Sequence, residues 1–201
     1  MNKNEMINQT KLAFNFIQKL YLEVSYFIKE IEGLLAEEEE NFIIGRSGGY
    51  AITARSSSKL ESTNVSLWPL RMLSVFFVPR DLTKKSGGQT ITRFNDGLKV
   101  IHLRITLDEK DIDQPYIRIG VIHDIVADKE KKYPSKFEQI NTIIEYNHIK
   151  VYAGGNEVDY EDRYAKFKGK YLRVNLYDIN SSDDIVEKVL SPTLELFRSI
   201  A

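Results

Sequence analysis

A seven-residue repeat of apolar side chains runs through the first 35 residues and constrains the fold more than any other feature. Two further rows of mostly apolar residues accompany it, so heptad positions a, d and g form one broad stripe. At ~1.5 Å per residue, this stripe covers about 45 Å of helix. The repeat is Ile7, Phe14, Tyr21, Ile28 and Leu35, beside Thr10, Ile17, Val24 and Ile31, and beside Met6, Ala13, Leu20, Phe27 and Leu34.

The width of the stripe favours packing on a sheet or in a bundle over a two-stranded coiled coil. Leu12, Phe16, Leu22 and Tyr26 lie off the stripe, so the helix needs a second neighbour. A sheet face about 20 Å long cannot cover the whole helix. We therefore expect residues 1–40 to form a long amphipathic helix that overhangs its domain. Part of its stripe would lie in the core and the rest in a homodimer contact.

Composition indicates one domain over residues 1–201. The chain is 42% hydrophobic and 11% aromatic, which is enough for a real core. It has no cysteine, which excludes disulfides, thiolate zinc sites and cysteine nucleophiles and is typical of cytosolic proteins. The polar start is unlike a signal peptide, and the most apolar run is too short to cross a bilayer. We expect a soluble, cytoplasmic protein with no membrane partner.

The order of helix and strand signals predicts an α+β domain. A mostly antiparallel, or else mixed, sheet of about six to eight strands would carry helices on one face. The individual predictions are a hairpin joining 42–44 to 50–53, a buried strand over 70–78, a hairpin joining 90–94 to 98–107, a strand over 116–125, a helix including residues 137–144, strands near 149–152 and 171–177, a solvated acidic loop over 157–162, and a final helix capped by Ser182 and interrupted at residues 191–192.

Charge is segregated along the chain although the net charge is only −1. Residues 1–40 sum to −4, residues 41–106 to +7 and residues 107–201 to −4. The basic middle is the only electrostatic indication of a partner. Its loops place arginine or lysine beside glycine or serine, a composition suited to phosphate, although no glycine-rich phosphate motif is present. The alternative is that these loops are simply solvated turns. The predicted phosphate-binding residues are Arg46, Arg55, Lys59, Lys84, Lys85, Arg93, Arg104 and Arg118.

Three of the basic residues are expected to lie together on the sheet. If the strands at 98–107 and 116–125 pair antiparallel, they bring His102, Arg104 and Arg118 into one basic stripe on the solvent face. Exposed sheet faces are usually polar, so the stripe also has an ordinary structural interpretation. The preferred function is a non-enzymatic, dimeric binding or regulatory module. It would contact a nucleotide or nucleic acid through these basic loops, without a cofactor.

A Mg²⁺-dependent nuclease of restriction-endonuclease type is the enzymatic alternative. Asp96, Asp108 and Lys110 imitate the Asp…Asp/Glu-x-Lys arrangement, in which carboxylates hold the metal and lysine activates water. Glu23 or Glu30 on the first helix would supply another ligand. The Asp/Glu-x-Lys pattern occurs about as often as chance predicts, and Asp96 already suits a tight turn. A third possibility is a structural subunit of a larger complex.

Overall fold

The computed structural model describes residues 2–44, 72–86, 89–92, 98–107, 112–127, 140, 143–144, 148–162 and 165–200. None of the helices within these ranges is both long enough and apolar enough to cross a membrane.

The long N-terminal helix that the stripe predicts is confirmed. Helix α1 spans Lys3–Glu37 and begins with a capping box, in which Asn2 and Glu5 each accept the other's backbone N–H. Every described residue up to Phe16 is exposed, whereas burial begins in the second half of the helix. The second half therefore supplies the core. Its buried residues are Tyr21, Val24, Ser25, Ile28, Ile31 and Leu35.

The main sheet has six strands, and all of its neighbouring pairs are antiparallel, in the order β1-β2-β5-β6-β8-β7. A separate two-stranded sheet joins β3 to β4. The α+β class is thus confirmed. The strands are β1 Phe42–Ile44, β2 Met72–Pro79, β3 Thr83–Ser86, β4 Gln89–Thr92, β5 Val100–Thr106, β6 Tyr116–Ala127, β7 Glu157–Glu161 and β8 Ala165–Asn175.

The chain closes with a helix of three consecutive segments. Helix α3 is Ser182–Ile185, a π-helical turn is Val186–Leu190, and α4 is Ser191–Ser199; a short helix α2, His148–Val151, comes earlier. The N-cap is Ser181, whose hydroxyl accepts the N–H of Asp184, so the predicted Ser182 cap was one residue late. Pro192 has no N–H for the preceding turn, and the helix widens there instead of breaking.

Both faces of the main sheet are covered. One face, termed the α1 face, packs residues such as Val75, Leu103 and Ile119 against α1 and the C-terminal helix. The opposite face, termed the arginine face, packs residues such as Phe76 and Ile122 against Ile140, Ile143, Ile144 and Val151. The predicted placement of helices on one face is therefore right for the longest helices and wrong for the helical residues Ile140, Ile143, Ile144 and Val151. Alternate strand positions are apolar on both faces, which makes two covering layers favourable.

Local turn signals misplaced one predicted hairpin. The strand β4 pairs with β3, and β5 lies between β2 and β6, so the predicted hairpin joining 90–94 to 98–107 is wrong. Because β5 buries both of its faces, a central position in the sheet is favoured over a hairpin with β4. The strand β1 pairs with β2. Its predicted partner, residues 50–53, lies outside the described residues.

Two further segments were assigned the wrong type of structure. Residues 149–152, predicted as a strand, form most of the helical turn α2 and the start of the turn that follows it. The acidic segment predicted as a solvated loop is β7, with Val158 and Tyr160 buried and its acids outward. Those acids stand opposite lysines of β8, for example Glu161 beside Lys166 with 2.8 Å between carboxylate and ammonium. Cross-strand pairing of opposite charges favours the strand over the loop.

Candidate functional site

Three arginines are direct neighbours across three adjacent strands. Arg104 of β5 stands opposite Arg118 of β6, which stands opposite Arg173 of β8. We call these three residues the arginine row. Neighbouring strands lie about 4.8 Å apart, and like charges placed directly opposite one another destabilise a sheet. An arrangement of this kind requires compensation from aromatic rings, carbonyl groups or an anion.

Aromatic rings supply part of that compensation. The guanidinium carbons of Arg118 and Arg104 lie 4.4 Å and 5.7 Å from the ring centroid of Tyr152. The guanidinium carbon of Arg173 lies 4.1 Å from the ring centroid of Tyr116. Each contact is within cation–π range. The row is graded in exposure: Arg104 is buried, Arg118 is half-buried and Arg173 is exposed.

A short turn brings Tyr152 onto the row. The turn covers residues 152–156 and follows α2 directly. Arg118 donates from Nη1 to the carbonyl oxygen of Gly155 at 2.5 Å, and the Tyr171 N–H donates to the carbonyl of Asn156 at 2.7 Å. Gly155 has a φ of +78°, a conformation that glycine adopts without a steric penalty. The two hydrogen bonds therefore fix the turn against β6 and β8.

A buried histidine borders the inner end of the row. The Nδ1 atom of His102 lies 3.0 Å from the Tyr171 hydroxyl and 3.2 Å from the Tyr152 hydroxyl, and Phe76 stacks on the imidazole at 4.4 Å between centroids. Its Nε2 atom is buried and has no hydrogen-bond partner among the described residues. Across the strand from His102 is Gly120, where a Cβ would overlap the backbone of β8. The close approach of β6 and β8 here thus requires glycine.

Electrostatics keep this histidine neutral. Burial, followed by the charges of Arg104 and Arg118, holds the pKa of His102 well below its ordinary value of 6.5. Burial, together with the neighbouring Tyr152, raises the pKa of Tyr171 well above 10.0. At neutral pH both side chains are therefore uncharged. The positive charge of the site comes from the arginines alone.

Among the described residues, Arg118 and Arg173 form no ion pair with a carboxylate. The described ion pairs lie elsewhere, for example between Arg198 and the carboxylates of Glu38 and Glu40. The same part of the chain contains no cluster of three or more histidine, aspartate or glutamate side chains suited to a metal ion. Arg118 and Arg173 are thus adjacent cationic donors on neighbouring strands, an arrangement that favours an anion.

The structure brings together one group of predicted site residues. The predicted strand pairing is confirmed, and it places Arg104 and Arg118 side by side with His102 two residues along β5. The predicted solvent face is wrong, because His102 and Arg104 are 0% and 3% exposed. Lys84 and Lys85 lie on β3 in the two-stranded sheet. Outside the described residues lie Arg46, Arg55, Lys59, Arg93, Asp96, Asp108 and Lys110.

Two predicted residues lie on the face of the sheet opposite the arginine row, and four residues of the site were not predicted. Glu23 and Glu30 lie on α1, which covers the opposite face of the sheet from the row. Sequence reasoning missed Arg173, Tyr116, Tyr152 and Tyr171. The alternation of lysine, aromatic and glycine residues over 166–173 marks a long strand. Only its pairing with β6 reveals that Arg173 extends the row.

Comparison of the chain with models of known protein families, with curated proteins and with solved structures finds no match in any of the three. Interpretation of the site therefore rests on its geometry and chemistry.

Proposed function

We propose that this protein is a non-enzymatic binding module that holds a phosphate-bearing ligand on the arginine row. The direct adjacency of Arg104, Arg118 and Arg173 on three neighbouring strands carries the proposal. A guanidinium group presents a planar fork of donors that matches phosphate oxygens, and its charge strengthens each hydrogen bond. The rings of Tyr152 and Tyr116 hold the guanidinium groups of Arg118 and Arg173 in place before any ligand arrives.

The shape of the row favours a mononucleotide or a similar phosphate ester. Two strand spacings give the row a width of about 10 Å, which suits a short phosphate chain. The turn over residues 152–156 closes the inner end, while Arg173 is exposed at the outer end. A ligand would enter phosphate-first from the side of Arg173. Binding of a nucleic acid is the alternative, with only the outer arginines in contact with its backbone.

The basic loops belong to the same proposal as secondary contacts. Arg46, Arg55, Lys59, Lys84, Lys85 and Arg93 would add long-range attraction for the ligand. If the affinity for the ligand does not depend on salt concentration, these residues do not contribute to ligand binding. Removal of a distant cation changes the association rate more than the dissociation rate, so these loops are expected to speed capture of the ligand.

A homodimer formed through the first half of α1 is also proposed. The supporting observation is the exposure of large apolar side chains there, including Met6, Leu12, Phe14 and Phe16 at 53%, 68%, 60% and 64%. A helix surface of this kind is typical of a protein–protein contact. Ligand binding and dimerisation involve opposite faces of the sheet, and either proposal can fail without the other.

Calorimetric titration tests the ligand proposal. Wild-type protein is titrated with ATP, AMP, inorganic phosphate and a single-stranded oligonucleotide, and Arg173→Gln is compared with Lys170→Gln. Both substitutions remove one positive charge from an exposed position of β8, but Lys170 is on the other face. We expect Arg173→Gln to weaken binding about tenfold or more, which corresponds to a lost charge-assisted hydrogen bond. Lys170→Gln should leave affinity nearly unchanged. Equal losses in the two variants, or no binding of any phosphate ligand, would refute the site.

A further inference from the structure

The first half of α1 has three chemically distinct sides. We call residues 3–16 the arm. One side carries the heptad stripe, with Ile7 and Phe14, and a second side carries Leu12 and Phe16 after the polar Glu5 and Gln9 of the first turns. The third side is polar and consists of Asn4, Asn8, Lys11 and Asn15, which recur at helical spacing. A helix with two apolar sides and one polar side suits a groove with two apolar walls, with its polar side toward solvent.

A groove with two partly apolar walls lies beside the second half of the same helix. Its volume is about 460 Å³. One wall is α1 itself, with Leu20 and Phe27, and the other is the segment that precedes and begins the C-terminal helix. The lining residues of that second wall are Leu176, Tyr177, Ile179, Asn180, Ser181, Ser182 and Ile185. Among the described residues that line the groove, the only charged ones are Glu23 and Glu30.

We infer that the arm of a second copy occupies this groove, and that the two copies exchange arms reciprocally. The inference rests on the homodimer proposed above and specifies its contact surface. In an antiparallel arrangement, the Leu12 and Phe16 side of each arm packs on α1 of the partner copy. The stripe side packs on the second wall. The arm carries Lys3 and Lys11 and a single acid, Glu5, so its net charge is positive. The groove carries two acids, so its charge is opposite to that of the arm.

The area available matches that of a stable dimer. Five large apolar side chains of the arm are exposed by 42% to 68%. Covering these would withdraw about 400 to 500 Å² per arm. Two arms alone then bury about 800 to 1,000 Å², and the grooves that receive them bring the total to the lower end of the range of specific protein–protein interfaces. An arm packed against only another arm would leave one of its apolar sides in water.

Sedimentation and disulfide trapping together test the inference. The chain has no cysteine, so introduced pairs are unambiguous. Residue 7 precedes the groove by 13 helical residues, about 20 Å, and cannot reach Tyr177 of its own chain. The pair Ile7→Cys with Tyr177→Cys is expected to give a covalent dimer on oxidation. The matched pair Asn8→Cys with Tyr177→Cys places the thiol on the polar side and should remain uncross-linked.

The outcomes separate the inference from the proposed dimer. A wild-type protein that sediments as a monomer at tens of micromolar overturns both. A dimer whose Ile7 pair cross-links no better than the Asn8 pair overturns only the arm exchange. Phe16→Glu should weaken dimerisation about tenfold or more, whereas Asn15→Glu, at the neighbouring exposed position on the polar side, should not. Equal dimer constants for these two variants also contradict the exchange.

Discussion

The hydroxyl oxygen of Tyr171 lies 3.0 Å from Nδ1 of His102, and both side chains are buried. This contact joins β5 to β8 across β6, on the arginine face. It also orients the imidazole beside two guanidinium groups that disfavour its protonation. The packing of the sheet and the electrostatics of the proposed site therefore depend on the same pair of residues.

The first prediction concerns the pH dependence of stability. Because the pKa of His102 is lower in the folded protein than its ordinary value of 6.5, only the unfolded chain takes up a proton just below pH 6.5. The contribution of His102 to the free energy of unfolding is therefore complete above pH 6.5. It is lost as the pH falls below that value. The loss amounts to as much as about 1.4 kcal/mol per pH unit. Urea unfolding from pH 7.5 to 5.0 measures it, and His102→Gln should show a shallower slope. Identical slopes for the two proteins would contradict a neutral, buried His102.

The second prediction concerns the hydroxyl of Tyr171. Tyr171→Phe keeps the ring but removes one hydrogen-bond partner of His102 in a buried site, so the free energy of unfolding should fall by about 1 to 3 kcal/mol. Tyr177→Phe provides the control, since that side chain is 56% exposed and should change stability by less than about 0.5 kcal/mol. Chemical denaturation measures both. A Tyr171→Phe protein as stable as the control would show that the hydroxyl contact does not contribute to the free energy of unfolding.

The third prediction compares two glycines. A Cβ at Gly120 would overlap the carbonyl oxygen of Lys170, whereas a Cβ at Gly33 would have no other atom within 4 Å. We expect Gly120→Ala to lower the free energy of unfolding by about 2 kcal/mol or more, because the backbones of β6 and β8 must separate. Gly33→Ala should raise it by about 0.5 to 1 kcal/mol through helix propensity. Thermal unfolding distinguishes the two variants. Unchanged stability of Gly120→Ala would mean that β6 and β8 can accommodate a Cβ at residue 120.

Part of the fold could be read from local patterns. The heptad stripe predicted a helix over residues 1–40, and α1 spans Lys3–Glu37, with the buried members of the stripe in its second half. The alternation of Ile101, Leu103 and Ile105 predicted the faces of β5, and the short connection to β6 predicted the pairing of Arg104 with Arg118. These features depend on residues close together in the sequence.

Features that depend on distant residues could not be read in this way. The arginine row has three members only because β8 pairs with β6 from more than 40 residues away, which brings in Arg173. His102 was expected at a solvated face, but that face is partly enclosed by Ile140, Ile143, Ile144, Val151 and Tyr171. Local patterns report that a face is partly polar. They do not report which other segment covers it.

The response of the arginine side chains to a phosphate ligand tests most directly whether the arginine row binds an anion. Nuclear magnetic resonance resolves the Nε–Hε signals of arginines, and inorganic phosphate followed by ATP would be titrated into labelled protein. If the row binds phosphate, we expect saturable shifts of the Arg118 and Arg173 signals. The Arg198 signal should change little, because Arg198 already pairs with Glu38 and Glu40. Unchanged Arg118 and Arg173 signals at saturating ligand, or shifts no larger than those of Arg198, would contradict phosphate binding by the row.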